Sequence, residues 1–209
     1  MCGILYISNN PFDNETCQSA LETMHHRGPD NLSSSKIKNH YFGHVRLSII
    51  DLNERSNQPF IIGNYILIYN GEIYNYKELI VEHKLEVNTD SDTEVLLRMY
   101  IKYGSDCLKY FNGMFAFVIY NRLNDKVFSA RDRLGIKPLY YRFYKKSLII
   151  SSEIESILRL ASDTFDEFGI RQYKKLRMTI KGNTIYQNIK QFPPGHYFEG
   201  KEFQKYWEL

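Results

Sequence analysis

The second residue of the chain is a cysteine, and its position gives it a chemical partner that an interior cysteine lacks. Cys2 follows Met1, and removal of Met1 is expected ahead of so small a side chain. That leaves a thiol and a free α-amine on one residue. An α-amine has an ordinary pKa of about 8 and a thiol one of about 8.5. Near neutral pH the amine, directly or through one water, can take the thiol proton and leave an activated nucleophile without a His or Asp partner. Gly3 beside it lets substrate and backbone approach closely. A second-position cysteine is also compatible with a buried, inert residue, and position alone does not separate the two. Other reactive side chains have equally plain readings. Arg46 suits a salt bridge at a strand end, and Asp92 suits the positive end of a helix dipole. Asn70-Gly71 between two apolar runs is a hairpin-turn signal.

The elements that must position these residues are read from periodicity and punctuation. Strand-like runs cover Gly3 to Ser8, Tyr41 to Ile50, Tyr65 to Tyr69, Met114 to Tyr120, Lys126 to Ala130, Leu139 to Phe143 and Leu148 to Ser151. Between them, Glu15 to His26 places Cys17, Ala20, Leu21 and Met24 on one helical face. Asn75 can cap a helix running to about Lys84. Ser91 with Glu94 makes a capping box for a helix through about Tyr103, and Ser152 to Leu160 forms another. Strand pairs joined by short turns indicate antiparallel sheets with helices outside them. After about Ala161 the pattern weakens, and Phe192-Pro193-Pro194-Gly195 breaks the chain before a last strand-like piece.

Composition narrows the class. The 209 residues suffice for a substantial core, and 17 Tyr and 13 Phe indicate a packed domain rather than disorder. A net charge of +3 is too small and too dispersed to argue for nucleic acid. The excess gathers between Arg171 and Lys205, which reads as a solvated basic face or a docking surface. Cys2, Cys17 and Cys107 form no C-x-x-C pair, so neither a disulfide framework nor a zinc site is signalled, and a reducing, cytoplasmic setting fits. Cys17 and Cys107 are expected in the core. His25, His40, His44, His83 and His196 lack metal spacing, so no metal is assigned. No secretory signal and no membrane-spanning run is visible.

Seven collinear runs then identify a relationship: MCGI (Met1 to Ile4), HRGPD (His26 to Asp30), RLSIID (Arg46 to Asp51), YNGEIYNY (Tyr69 to Tyr76), TDSDTEVLL (Thr89 to Leu97), NGMFAFVIY (Asn112 to Tyr120) and RDRLGIKPLYY (Arg131 to Tyr141). Together they resemble the class II glutamine amidotransferase (glutaminase) domain of glutamine-hydrolysing asparagine synthetases. SSEIESIL, FPPGHYF and KYWEL resemble the end of that domain. The resemblance implies an α+β fold, a four-layer αββα sandwich of two antiparallel sheets of the N-terminal nucleophile hydrolase type. It implies an amidotransferase core over 1–160, with 161–209 a C-terminal extension of the same domain leading to a synthetase domain absent from this chain.

By the same resemblance Cys2 is the nucleophile, and Asn70 and Gly71 form the oxyanion hole. Arg46 clamps the glutamine α-carboxylate with its planar fork. Leu47, Ser48, Ile49 and Ile50 line the adjoining wall, and Asp92 with Glu72 receives the α-ammonium. The loop His26 to Asp30 closes over glutamine, whereas Arg131 to Pro138 shapes the core and the acceptor-facing surface rather than touching substrate. The implied reaction is L-glutamine hydrolysis through a Cys2 thioester, supplying ammonia for amino-acid biosynthesis. A synthetase domain or chain of ligase chemistry receives the ammonia, with aspartate or a related acceptor. This domain needs no cofactor; ATP and magnesium belong to the synthetase, whose S-G-G-x-D-S-type loop does not occur in this chain. Partners are therefore L-glutamine and the synthetase, with no nucleic acid and no membrane. Two other readings stay open: a non-catalytic module that senses glutamine or docks on a synthetase, and an amidotransferase of another class II pathway. The strings HRGPD, RLSIID and NGEIYNY favour the asparagine synthetase type.

Overall fold

The computed structural model describes residues 1–200 and 202–208. In chain order the strands are β1 (Gly3–Ile7), β2 (Asn31–Ile37), β3 (His40–Arg46), β4 (Phe60–Ile62), β5 (Tyr65–Ile73), β6 (Gly113–Asn121), β7 (Lys126–Arg131), β8 (Tyr140–Tyr144), β9 (Ser147–Ser151), β10 (Lys190–Gln191), β11 (His196–Glu199) and β12 (Glu202–Lys205). The α-helices are α1 (Asn14–Glu22), α2 (Tyr76–Glu82), α3 (Asp92–Tyr103), α4 (Ile154–Leu160) and α5 (Glu167–Leu176). One sheet runs β10-β8-β9-β1-β3-β2 and the other β12-β11-β7-β6-β5-β4, and every pairing between these strands is antiparallel.

Strand alternation sorts the core into three layers. Ile4, Tyr6, Phe42, Ile66, Ile68, Ala116, Val118 and Ile150 meet between the two sheets. The opposite faces of the first sheet (Leu5, Ile7, Val45, Ile149) pack on Cys17, Ala20 and Leu21 of α1 and Ile157 of α4. The opposite faces of the second (Leu67, Tyr69, Phe115, Phe117) pack on Leu79 of α2 and Val95, Leu96 and Met99 of α3. The result is the expected αββα sandwich. It also explains why β1 reads as an unbroken apolar run: its strand is central, and both of its faces are buried.

Local differences from the sequence reading have physical causes. The strand expected to continue to Ile50 stops at Arg46, because Leu47 to Ile50 turn away to form a cavity wall. Asn70-Gly71 is no turn: it sits within β5, with Asn70 opposite Ala116 and Gly71 opposite Phe115. A Cβ at Gly71 would contact the Met114 carbonyl oxygen and come within 2.5 Å of the Tyr69 ring, so the glycine serves close strand approach. Ser91 caps α3 by accepting from Thr93 N at 3.2 Å, but Glu94 does not close the reciprocal half of a capping box. Its Oε2 instead accepts from the N–H groups of Asn88 (2.9 Å) and Thr89 (2.7 Å), tying down the loop before the helix. Asn75 occupies the cap position of α2, yet its side chain bridges Tyr110 O and Asn112 N.

One buried group predicts an acid limit to stability. His44 lies fully buried, with Nε2 facing Tyr69 O across the two sheets at 3.2 Å and Nδ1 without a partner. Burial pulls its pKa from 6.5 to about 3. As pH falls through 6.5 the unfolded chain takes a proton that the folded chain refuses. Stability is thus lost from pH 6.5 down to about 3 and is unaffected by His44 above that window. The slope from this group is about 1.4 kcal/mol per pH unit. Urea denaturation of His44→Gln across this range should show a shallower acid dependence than the parent; an identical slope would refute the assignment.

Candidate active site

The same alternation that builds the inter-sheet core carries polar residues to its open end. Cys2 continues the face of Ile4 and Tyr6, Arg46 that of Phe42 and His44, and Asn70 that of Ile66 and Ile68. The inter-sheet space opens there into a cavity of about 290 Å³, lined by Cys2, Arg46, Leu47, Ile49, Ile50, Asn70, Gly71, Glu72 and Asp92 among others. That volume suits a ligand of amino-acid size better than a nucleotide. Ser48 is outside the lining; its N–H donates to Asp30 Oδ2 at 2.7 Å.

The thiol is held at its backbone end. Arg27 Nε donates to Cys2 O at 2.9 Å, and Leu47 N donates to Cys2 Sγ at 3.4 Å. Burial pushes the thiol pKa up, while the Leu47 N–H, the terminal amine, Arg46 and Lys137 act in the opposite direction. The terminal amine, here on Met1, is drawn below its ordinary value, first by burial. That shift moves the amine toward its neutral, proton-accepting form.

Facing the thiol from the other sheet, Asn70 is 1% exposed and its Nδ2 has no hydrogen-bond partner. Buried donors are rarely left unpaired, and an orphan that lines a cavity points to a missing acceptor. Asp92, at the first turn of α3, accepts from Tyr69 Oη (2.8 Å) and Ile73 N (2.9 Å) through Oδ2. Burial nevertheless raises its pKa, so an incoming cation would be stabilising. Arg46 is also committed. It donates to the carbonyls of Asn53 (3.1 Å), Ile50 (3.4 Å) and Asp51 (2.5 Å) and to Asn57 Oδ1 (2.7 Å), and so holds the 50–57 loop. Among the described residues it forms no ion pair, which removes the surface salt-bridge reading. No group of three or more His, Cys, Asp and Glu side chains is gathered for a metal among the described residues.

A family model described as glutamine amidotransferase domain matches residues 1–207. The chain belongs to that family. The amidotransferase domain is 36% identical to a putative glutamine-hydrolysing asparagine synthetase of Methanocaldococcus jannaschii, over all of this chain and 47% of the relative. It is 36% identical to asparagine synthetase 1 of Bacillus subtilis, over 95% of this chain and 33% of the relative. A Gibberella zeae protein named amidase chry2 is 34% identical, over 93% and 30%. The chain thus spans about half, or less, of these curated relatives. The glutamine phosphoribosylpyrophosphate amidotransferase of B. subtilis superposes with a TM-score of 0.71 at 18% identity, over all of this chain and 50% of that one, a likeness of fold.

The amidotransferase domain also recruits residues outside the sequence-expected set. Gln58, Tyr69, Met114, Ile136 and Lys137 line the cavity as well. Met114 follows from alternation once Asn70 is placed, because it lies on the inter-sheet face of β6 with Ala116. Gln58 is placed by bonding: its Oε1 accepts from Tyr69 N at 2.6 Å, just before β4 begins. The 131–138 loop was expected to stay away from the ligand. Arg131 and Asp132 do serve structure, but Ile136 and Lys137 reach the cavity. Asp132 accepts from the N–H groups of Phe115, Ile136 and Lys137, and Arg131 donates to the carbonyls of Gly135, Lys137 and Phe192. The His26 to Asp30 run is pinned: Arg27 pairs with Glu153 at 3.0 Å, and a Cβ at Gly28 would lie 2.5 Å from the Arg46 backbone. It buttresses Cys2 and Arg46.

Proposed function

We propose that this domain hydrolyses L-glutamine to glutamate and ammonia through a thioester on Cys2. The observation that carries the mechanism is the unpartnered Asn70 Nδ2, buried across the cavity from the thiol. The thiol gives its proton to the terminal amine, which Met1 removal transfers to Cys2 itself, and the thiolate attacks the side-chain carbonyl. Asn70 Nδ2 and the Gly71 N–H bond the developing oxyanion. The protonated amine returns its proton to departing ammonia, and water then cleaves the thioester to glutamate and free thiol. Arg46 takes the α-carboxylate in exchange for carbonyl bonds to the 50–57 loop, so glutamine binding and loop rearrangement are one event. Asp92, with Glu72, takes the α-ammonium, and Leu47, Ile49 and Ile50 border the substrate, with Ser48 turned to Asp30 outside the lining.

Residues 1–160 form the amidotransferase core and 161–209 its extension toward a cytoplasmic synthetase. The names of the archaeal and bacterial relatives support aspartate as the ammonia acceptor, with a related acceptor as the alternative. ATP and magnesium act in that synthetase, and this half-reaction uses no cofactor. The test is incubation of the chain with L-glutamine at neutral pH, with glutamate and ammonia quantified and Met1 status read by intact mass. Equimolar release is expected. No release from folded protein lacking Met1 would overturn the reading as an autonomous glutaminase.

A further inference from the structure

We propose that Lys137 is a positioning cation for the Cys2 thiolate, held in the cavity wall so that its ammonium balances the sulfur's negative charge opposite Asn70. The inference rests on Cys2 as the nucleophile. Lys137 is 5% exposed, lines the same cavity as Cys2, and forms no salt bridge or side-chain hydrogen bond among the described residues. Lysine is seldom buried without a partner, so the position calls for an anion.

The backbone around Lys137 is fixed. Its N–H donates to Asp132 Oδ2 at 2.9 Å and its carbonyl accepts from Arg131 Nε at 2.8 Å. Gly135, two residues earlier, adopts a positive φ of 68° that closes the loop tightly. The ammonium is therefore presented from a rigid platform.

Most of the neighbouring charges have other partners. Cys2 feels the terminal amine, Arg46 and Lys137; Lys137 feels Cys2, Arg27, Glu72 and Asp132. Arg46 bonds the 50–57 loop, and Arg27 bonds Cys2 O through Nε and Glu153 through Nη1, leaving its buried Nη2 unpaired. Both Asp132 oxygens accept backbone N–H groups. Glu72 lines the cavity and acts on Lys137 through its charge, but among the described residues the two form no ion pair. Burial lowers the Lys137 pKa and raises that of Cys2, and the opposite charge of each counters the other's penalty. The thiol proton goes to the terminal amine, not to Lys137.

The experiment is the pH dependence of Cys2 alkylation by iodoacetamide, read by intact mass in the parent, Lys137→Met, Lys137→Gln and Lys137→Arg, with matched Met1 status. Cys17 and Cys107 are fully buried, and Cys2→Ala supplies the blank. The neutral variants should raise the alkylation midpoint by about 1 to 3 pH units, the range for losing a nearby opposite charge. Lys137→Arg should stay close to the parent. An unchanged midpoint in a folded neutral variant would overturn the proposal, as would failure of both neutral variants to fold, which would make the lysine structural. Alkylation needs no glutamine. A Lys137-dependent midpoint in a chain that releases no glutamate would sink the glutaminase reading and leave this one standing.

Discussion

Cys2→Ala should reduce glutamate release below detection while leaving glutamine binding within a few-fold of the parent. Loss of the nucleophile from a comparable covalent hydrolase lowers kcat by about 10⁶-fold. Binding is expected to survive because the groups assigned to the amino acid's two charges, Arg46 and Asp92, are fixed independently of the thiol. Arg46 is held by four acceptors in the 50–57 region, and Asp92 by Tyr69 and Ile73. The two remaining cysteines offer no substitute, both being fully buried in separate core layers. Calorimetric titration with glutamine beside a glutamate assay separates the two effects. Parent-like turnover in Cys2→Ala would remove the thioester from the mechanism. Joint loss of binding and turnover would make Cys2 part of the pocket's architecture.

Asn70→Ala is expected to lower kcat by about 10² to 10³-fold, with little change in KM. An oxyanion donor works in the transition state, where charge has moved onto the carbonyl oxygen, so its removal leaves ground-state binding largely intact. The stability readout makes this position informative. The Nδ2 group is buried and unpaired, so deleting it breaks no hydrogen bond from that nitrogen. Denaturation should therefore show a change within about 1 kcal/mol, smaller than the cost of removing a satisfied buried partner. A rise in KM matching the fall in kcat/KM would assign Asn70 to substrate binding instead. A large loss of stability would mean that it supports the β5–β6 pairing.

The sequence carried much of this architecture because the residues that build it obey simple periodicities. The aromatic and β-branched runs around Tyr6, Ile68, Phe117 and Ile149 became strands, and the faces of α1 and α3 were evident from Cys17, Ala20, Leu21, Val95 and Leu96. What escaped has a common cause. β2 (NLSSSKI) is an edge strand with one flank unpaired within its sheet, and its serines carry little apolar signal. α5 was missed because Phe168, Tyr173 and Leu176 are exposed, so its sequence does not report a buried face. In the site, Cys2, Arg46, Asn70 and Asp92 lie in runs whose resemblance is specific. Lys137 also lies in such a run, Arg131 to Tyr141, but that run reads as shaping the core and the acceptor-facing surface. Only the Asp132 and Arg131 bonds, made by residues earlier in the loop, turn the lysine inward.

The central place of β1 also orders events in time. The strand behind Cys2 pairs on one side with β3 and on the other with β9, and Ile4 exchanges bonds with Ser152. During synthesis the nucleophile leaves the ribosome first, yet the second edge of its strand waits for residues almost 150 positions later. A nascent chain ending before Ser147 already holds Cys2, Arg46, Asn70, Asp92 and Lys137, but not the strand that locks β1. Such long-range closure slows folding relative to local pairing. The Cys2 thiol is thus the earliest part of the site to be made and among the last to be set.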